Sequence, residues 1–161
     1  TAEQYLSIVN RLKEKCGEIA FSTDIIVGFP GETDGDFEET RKLMNEVGYD
    51  NAYIFKYSPR KGTKAAEQMP DDVPQSVKEE RNQILLADLA KSSERANDKF
   101  VGRTLEVLAE GVSKRNASRW SGRTELSKLV VFEPDAAIRP GDLVQIRINH
   151  ATAMTLFGTL L

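Results

Sequence analysis

The period of the hydrophobic pattern changes beyond the middle of the chain, and this change limits the possible folds more than any other feature. Before it, apolar residues recur at helical spacing, interrupted by two short runs rich in β-branched and aromatic residues. After it, apolar and polar residues alternate, as in Val144, Ile146 and Ile148. The sequence therefore predicts an α/β region, residues 1–95, followed by an all-β region, residues 96–161.

Helices and strands alternate in the predicted α/β region. Capping residues and apolar stripes predict helices over 1–17, 33–48 and 74–98, with strands at 19–29 and 52–57. The first strand is apolar on both faces at its end, which is typical of a parallel strand covered on both sides. Two parallel strands are too few to bury three amphipathic helices. We therefore expect this region to be part of a larger sheet or barrel.

Short alternating segments fill the predicted all-β region. Leu105 and Val107 alternate with Glu106, and a Pro140-Gly-Asp142 turn precedes another alternating run. The pattern predicts four or five short antiparallel strands. A set of that size suits a small closed barrel of the oligonucleotide-binding (OB) type.

The composition excludes several classes of protein. A single cysteine allows neither an internal disulfide nor a cysteine-based metal cluster within this chain. Cys16 and the only histidine, His150, lack partners for a nucleophile–base pair, so no catalytic residue and no metal ligand are predicted. No apolar run is long enough to cross a membrane, and the start of the chain has no signal-peptide pattern. These features predict a cytoplasmic protein with no membrane partner.

Positive charge is concentrated in the second region. Residues 1–95 contain 13 Lys and Arg against 18 Asp and Glu, whereas residues 96–161 contain 9 against 7. One segment combines cations with an aromatic ring, namely Lys114, Arg115, Arg119, Trp120 and Arg123. Such a combination suits contact with phosphates and stacking on bases. The alternative is a solvated loop with one packed tryptophan.

Candidate ligand-binding residues lie in and directly after the predicted strands. Gly28-Phe-Pro-Gly-Glu32 lacks the phosphate-loop pattern, so it is either a tight strand-to-helix turn or a place where the backbone approaches a ligand. Tyr57-Ser-Pro-Arg-Lys-Gly-Thr63 suits an anionic or nucleotide ligand, or is a polar surface loop. Asp24 is an acid within an apolar strand, where we expect it to be buried as a hydrogen-bonding hub or to hold a ligand.

Five segments, taken together and in this order, resemble one enzyme family. They are Thr23-Asp-Ile-Ile-Val-Gly-Phe-Pro-Gly-Glu-Thr33, Phe37-Glu-Glu-Thr40, Tyr57-Ser-Pro-Arg-Lys-Gly-Thr63, Glu106-Val-Leu108 with Glu110-Gly111, and Gly122-Arg-Thr124. Each is a weak signal alone, but the set is similar to the carboxyl-terminal part of the radical S-adenosylmethionine methylthiotransferases. The resemblance covers the whole chain and is strongest to the tRNA branch that makes 2-methylthio-N6-isopentenyladenosine.

The resemblance implies an architecture and cofactors. The family has an amino-terminal domain with one 4Fe–4S cluster, a (βα)6 radical barrel with a second 4Fe–4S cluster, and a TRAM domain of β-barrel type. Residues 1–17 then correspond to the fourth barrel helix, and 19–29 and 52–57 to the last two barrel strands. In the family, S-adenosylmethionine is cleaved to a radical that activates an adenine carbon for sulfur insertion, and a second S-adenosylmethionine supplies the methyl group. The cluster cysteines fall outside this sequence, so the chain alone is expected to be inactive.

The resemblance also implies roles for individual residues. Those expected to bind S-adenosylmethionine are Asp24, Ile26, Gly28, Phe29, Pro30, Gly31, Glu32, Tyr57 and Ser58. Those expected to bind tRNA are Arg60, Lys114, Arg115, Arg119, Trp120 and Arg123. The first set lies in or directly after the two parallel strands, and such strands carry ligands beyond their carboxyl ends.

Other interpretations of the function stay open. Arg60 favours tRNA over a ribosomal-protein aspartate, because the branch acting on that protein usually has an acidic residue at this position. The branch that acts on threonylcarbamoyl-adenosine in tRNA shares the Tyr-Ser-x-Arg pattern and is the nearest alternative. A free-standing, non-catalytic RNA-binding module is another. Since most barrel strands are missing from this sequence, we also expect exposed sheet edges that allow self-association.

Overall fold

The computed structural model describes all 161 residues, which form two compact units, Thr1–Leu89 and Ala90–Leu161. The first contains α1 (Ala2–Cys16), β1 (Ser22–Val27), α2 (Asp34–Val47), β2 (Asn51–Lys56), α3 (Lys64–Gln68) and the start of α4 (Gln75–Asp98). The second contains the end of α4 and β3 (Thr104–Ser113), β4 (Asn116–Arg123), β5 (Leu129–Phe132), β6 (Leu143–Ala151) and β7 (Leu156–Leu160). The predicted α/β region followed by an all-β region is confirmed. Two elements lack a counterpart among the predicted segments: α3, and β4, which lies where the sequence suggested a loop or hairpin.

The helices begin at the predicted capping residues. The Thr1 hydroxyl accepts the Gln4 amide at 3.3 Å, and the Gln4 side chain accepts a hydrogen bond from the Thr1 amino group at 2.9 Å. The same reciprocal pair forms between Thr33 and Asp36 at the start of α2, and the hydrogen bonds from Thr33 lower the pKa of Asp36. Gly48 ends α2 in the left-handed conformation (φ 67°), which costs glycine little.

The sheet of the first unit is covered on one face only. β1 and β2 pair in parallel, with Ile25 opposite Ile54, and the helices bury this face against a core centred on Val27, Met44 and Leu85. The opposite face is open. Its apolar residues are more than half exposed: Ile26 (52%), Tyr53 (59%) and Phe55 (53%). The apolar pattern of the first strand is typical of a strand covered on both sides, but within the first unit this face is uncovered, as expected for strands that belong to a larger sheet or barrel.

The five strands of the second unit close into a barrel in the order β3-β4-β5-β7-β6. Every pair is antiparallel except β5 and β7, which run parallel. An odd number of strands cannot alternate in direction all the way round a closed ring, so one parallel pair is unavoidable. The barrel interior is filled by side chains that are at most 1% exposed, namely Val107, Ala109, Val130, Phe132, Ile146, Ile148 and Leu156.

Two barrel glycines mark close approaches between strands. A Cβ atom on Gly122 would lie 2.4 Å from the carbonyl oxygen of Leu108. A Cβ atom on Gly158 would lie 2.5 Å from that of Arg147. The glycine of Gly122-Arg-Thr124 is thus needed for packing between β3 and β4.

Candidate functional site

Three backbone amides of the Gly28–Glu32 loop are paired with oxygen atoms of the loop itself or of Asp72. The Gly28 amide donates to the Glu32 carboxylate at 2.7 Å, and the Glu32 amide donates to the Phe29 carbonyl at 2.9 Å. The Gly31 amide donates to the Asp72 carboxylate at 2.8 Å. Both glycines have positive φ, 68° and 81°. Since these three amides are already paired, the loop does not form an open cradle of donors for a phosphate.

Tyr57 meets this loop at the end of the sheet. Its amide donates to the Val27 carbonyl at 2.8 Å, which extends the pairing of β1 and β2 by one step. The Phe29 and Tyr57 rings pack edge to face with centroids 5.1 Å apart. Phe29 stays 39% exposed, and Ile26 and Phe55 lie on the open sheet face. The two segments assigned to one cofactor are therefore adjacent and present an apolar, aromatic surface.

The other residues of this set lie in different environments. Asp24 is exposed on the open sheet face, in register with Tyr53, so the expectation of a buried acid is wrong. A side chain inside an apolar strand is buried only where another element covers its face. Pro30 is buried, whereas Ser58 is exposed.

Arg81 on α4 anchors the loop, although no sequence pattern singled it out. Its side chain is 6% exposed and donates to the Glu32 carboxylate at 2.5 Å and to the Asp34 carboxylate at 2.7 Å. Burial works to lower the pKa of Arg81, but the hydrogen bonds to Asp34 and Glu32 outweigh it and raise that pKa. The loop's own carboxylate thus holds a glycine amide and a buried guanidinium at the same time.

Lys78, one turn earlier on α4, packs directly on Gly28. Its side chain is 3% exposed, and its ammonium donates to the Asp71 carboxylate at 2.5 Å and to the Tyr57 carbonyl at 3.5 Å. A Cβ atom on Gly28 would lie 2.3 Å from the Lys78 Cγ atom. The signal that could have revealed both residues is their spacing: positions 78, 81 and 85 share one helix face, and Leu85 is fully buried.

The predicted RNA-binding cations differ in whether they form ion pairs with nearby carboxylates. Lys114 and Arg115 lie exposed at the turn between β3 and β4, and neither forms an ion pair. Arg123 lies 3.5 Å from the Glu110 carboxylate and donates to the Ser127 carbonyl. Arg119 lies 3.8 Å from the Glu133 carboxylate. The hairpin tip is therefore the least neutralised part of this cluster.

Trp120 and Arg60 stand apart from that tip. Trp120 is half-buried and packs against the barrel core, so its ring is only partly available for stacking on a base. Arg60 is exposed on the loop after β2, in the first unit.

No metal-binding cluster is formed by this chain. Cys16 is exposed, and no group of three or more His, Cys, Asp or Glu side chains could hold a metal ion. The residues therefore do not fit an iron–sulfur cluster.

None of the helices is both long and apolar enough to cross a bilayer.

Residues 98–161 match the family model of the TRAM domain. This part of the chain is similar to TRAM domains. It begins where α4 ends and contains the whole five-stranded barrel, including the basic hairpin tip. The predicted small β-barrel is confirmed, and the TRAM domain implied by the resemblance agrees with this match.

Similarity to known proteins extends beyond the TRAM domain to the first unit. The chain is 48% identical over 160 residues, 99% of its length, to the tRNA-2-methylthio-N(6)-dimethylallyladenosine synthase of Acetivibrio thermocellus. It is also 48% identical to the synthases of the same name from Opitutus terrae, over 163 residues, and Akkermansia muciniphila, over 158 residues. The chain spans only about a third of the length of each relative, 33% or 34%.

Proposed function

We propose that the chain is part of a tRNA methylthiotransferase that modifies carbon 2 of N6-isopentenyladenosine next to the anticodon, using radical S-adenosylmethionine chemistry. In this enzyme, residues 1–95 are the end of the radical barrel and residues 96–161 bind tRNA. The enzyme works in the cytoplasm. The observation that carries the proposal is the adjacency of the Gly28–Glu32 loop and Tyr57 at one end of the sheet, in a chain similar along its length to synthases of that name.

The surface around Phe29 and Tyr57 fits a nucleoside rather than a phosphate. The loop amides are occupied, so a phosphate would find few donors, whereas S-adenosylmethionine has no phosphate and carries a flat adenine. Exposed apolar groups of Ile26, Phe29 and Phe55 suit contact with such a ring. When bound, S-adenosylmethionine supplies the methyl group and the radical that activates the substrate adenine.

In this proposal, the residues of this chain bind S-adenosylmethionine and orient its adenine. The aromatic pair Phe29 and Tyr57 provides a contact surface for the adenine, and the rigid turn between Gly28 and Glu32 keeps the Phe29 ring beside Tyr57. Both 4Fe–4S clusters and their ligands belong to the rest of the full-length enzyme, because the chain does not supply a cluster site. Without them the chain alone is expected to show no turnover.

The full-length natural protein provides the test. Purified and reconstituted with iron and sulfide, it would be incubated with S-adenosylmethionine, a reductant and tRNA carrying either N6-isopentenyladenosine or threonylcarbamoyl-adenosine. Digestion and mass spectrometry should detect a methylthio group on the first nucleoside only. Modification of the second nucleoside would assign the protein to the alternative branch. tRNA binding without modification of either would favour the non-catalytic RNA-binding module.

The basic hairpin tip gives a separate prediction for RNA binding. In the 161-residue chain, Lys114→Ala combined with Arg115→Ala should weaken tRNA binding and reduce its salt dependence, because two unneutralised cations no longer release counterions from phosphates. Each lost contact lowers the slope of log affinity against log salt by about 0.7–0.9. The slope should therefore fall by about 1.5, measured by filter binding between about 50 and 200 mM salt.

A charge-matched variant tests whether position matters. Lys99→Ala combined with Arg139→Ala removes the same charge from exposed positions elsewhere in the second unit. It should leave both affinity and slope close to wild type. Equal losses in the two double variants would show that net charge, not the hairpin tip, determines tRNA binding.

A further inference from the structure

We propose that Lys78 and Arg81 are positioning residues that hold the Gly28–Glu32 loop and Tyr57 at the spacing needed for S-adenosylmethionine, without contacting it themselves. The inference deepens the proposed function and rests on it. It assigns a positioning role to the first turns of α4, which carry none of the residues predicted to contact the cofactor.

The first contact runs from Arg81 through Glu32 to the loop backbone. Glu32 is 11% exposed, and one of its oxygens accepts from both the Arg81 guanidinium and the Gly28 amide. The guanidinium also donates to the Glu32 carbonyl at 3.2 Å. A buried carboxylate with these partners has few rotamers available, so Arg81 fixes where the loop begins and where it ends.

The second contact joins Lys78 to both the Gly28–Glu32 loop and Tyr57. Its stem fills the space that a side chain at Gly28 would occupy, and its ammonium lies 3.5 Å from the Tyr57 carbonyl oxygen and 5.2 Å from the centre of the Tyr57 ring. A single side chain therefore touches the end of β1 and the residue after β2. Its burial, 3% exposed, leaves it no solvent-facing role.

The segment before α4 completes the arrangement. Asp71 pairs with Lys78, and Asp72 accepts the Gly31 amide at 2.8 Å. Residues 71–81 thus contact the loop at Gly28, Gly31 and Glu32, as well as the Tyr57 backbone. If these supporting contacts are lost, the binding surface can move. A shift of about 1 Å can lower the effectiveness of a site by up to about a hundredfold.

The experiment measures S-adenosylmethionine affinity of the full-length, cluster-loaded protein by calorimetry. Lys78→Met keeps the stem but removes the ammonium, and Arg81→Gln removes the ion pair with Glu32. Each should weaken binding by roughly tenfold to a hundredfold. In turnover assays KM for S-adenosylmethionine should rise by the same factor, while kcat at saturation is largely retained. Asp72→Ala changes an exposed side chain, so it should fold normally and weaken binding several-fold.

Controls separate positioning from general destabilisation. Lys91→Met and Arg95→Gln make the same chemical changes at exposed positions of α4 and should bind like wild type. Val47→Ala truncates a core residue away from the loop, so it should lower the melting temperature but not the affinity. The inference is overturned if Asp72→Ala, Lys78→Met and Arg81→Gln bind normally, or if Val47→Ala weakens binding as much as they do. Wild-type protein that binds no S-adenosylmethionine would instead refute the proposed function itself.

Discussion

Replacing Gly28 with leucine is expected to unfold residues 1–89 while the barrel stays folded. A side chain there would be forced into the left-handed region at φ 68°, which costs about 1–3 kcal/mol. It would also displace the buried Lys78 stem and separate the Lys78 ammonium from Asp71; because the Asp71 carboxylate is 36% exposed, the loss of this hydrogen-bonded pair costs about 1–3 kcal/mol. The sum, about 2–6 kcal/mol, approaches the total stability of a small domain.

The distribution of aromatic residues allows each unit to be monitored separately. All four tyrosines, Tyr5, Tyr49, Tyr53 and Tyr57, lie in the first unit, and the only tryptophan, Trp120, lies in the second. In a urea titration, the tyrosine circular dichroism signal of Gly28→Leu should be lost at much lower urea than in wild type. The fluorescence transition of Trp120 should be unchanged.

Gly31→Leu is the matched control for this prediction. Gly31 has the same backbone strain (φ 81°), but no atom lies within 4 Å of a Cβ added there. Gly31→Leu should therefore lower the free energy of unfolding only by the cost of backbone strain, about 1–3 kcal/mol. Equal destabilisation by the two variants would contradict the conclusion that contact with Lys78 makes Gly28 essential.

The 161-residue chain is expected to self-associate through the sheet of its first unit. This two-stranded sheet leaves one edge of β1 and one edge of β2 unpaired, and Ile26, Tyr53 and Phe55 are more than half exposed on its open face. Unpaired edges beside an apolar face favour pairing with a second copy. Phe55→Lys should raise the dissociation constant of the dimer at least about tenfold, because burying a phenylalanine contributes about 1.5–3 kcal/mol.

Sedimentation or light scattering over a concentration series measures this effect. Leu143→Lys provides a control, because Leu143 is similarly exposed (64%) but lies on the barrel. It should leave the dissociation constant unchanged. A strict monomer of the wild-type chain at high micromolar concentration, or equal effects of the two substitutions, would refute association through the sheet.

Local signals in the sequence were enough to predict most of the helices and strands. Capping by Thr1 and Thr33 and the stop at Gly48 depend on neighbours within about one helical turn, so the boundaries of α1 and α2 follow from the sequence. The change in hydrophobic period separated the α/β region from the barrel in the same way. The five motifs also pointed to the same synthases to which the chain is 48% identical, because each motif retains its residues in contiguous order.

Burial could not be predicted with the same success, because it depends on what covers a residue from elsewhere in the chain. Asp24 was expected inside the protein and lies on an open face, whereas Lys78 and Arg81 look like ordinary helix-surface cations and are almost fully buried. Their partners Glu32 and Tyr57 are 49 and 21 residues away in sequence.

The sequence by itself determined most elements of this protein, their order and the family that it resembles, since these depend on local hydrogen bonding and on contiguous motifs. Only the tertiary structure decided that β5 and β7 pair in parallel, because closure of a five-stranded ring requires it. Only the tertiary structure, too, brought the Gly28–Glu32 loop, Tyr57 and α4 together. Such neighbours are brought together by long-range packing. The local hydrophobic pattern, which repeats every two to four residues, does not show which distant residues will be in contact.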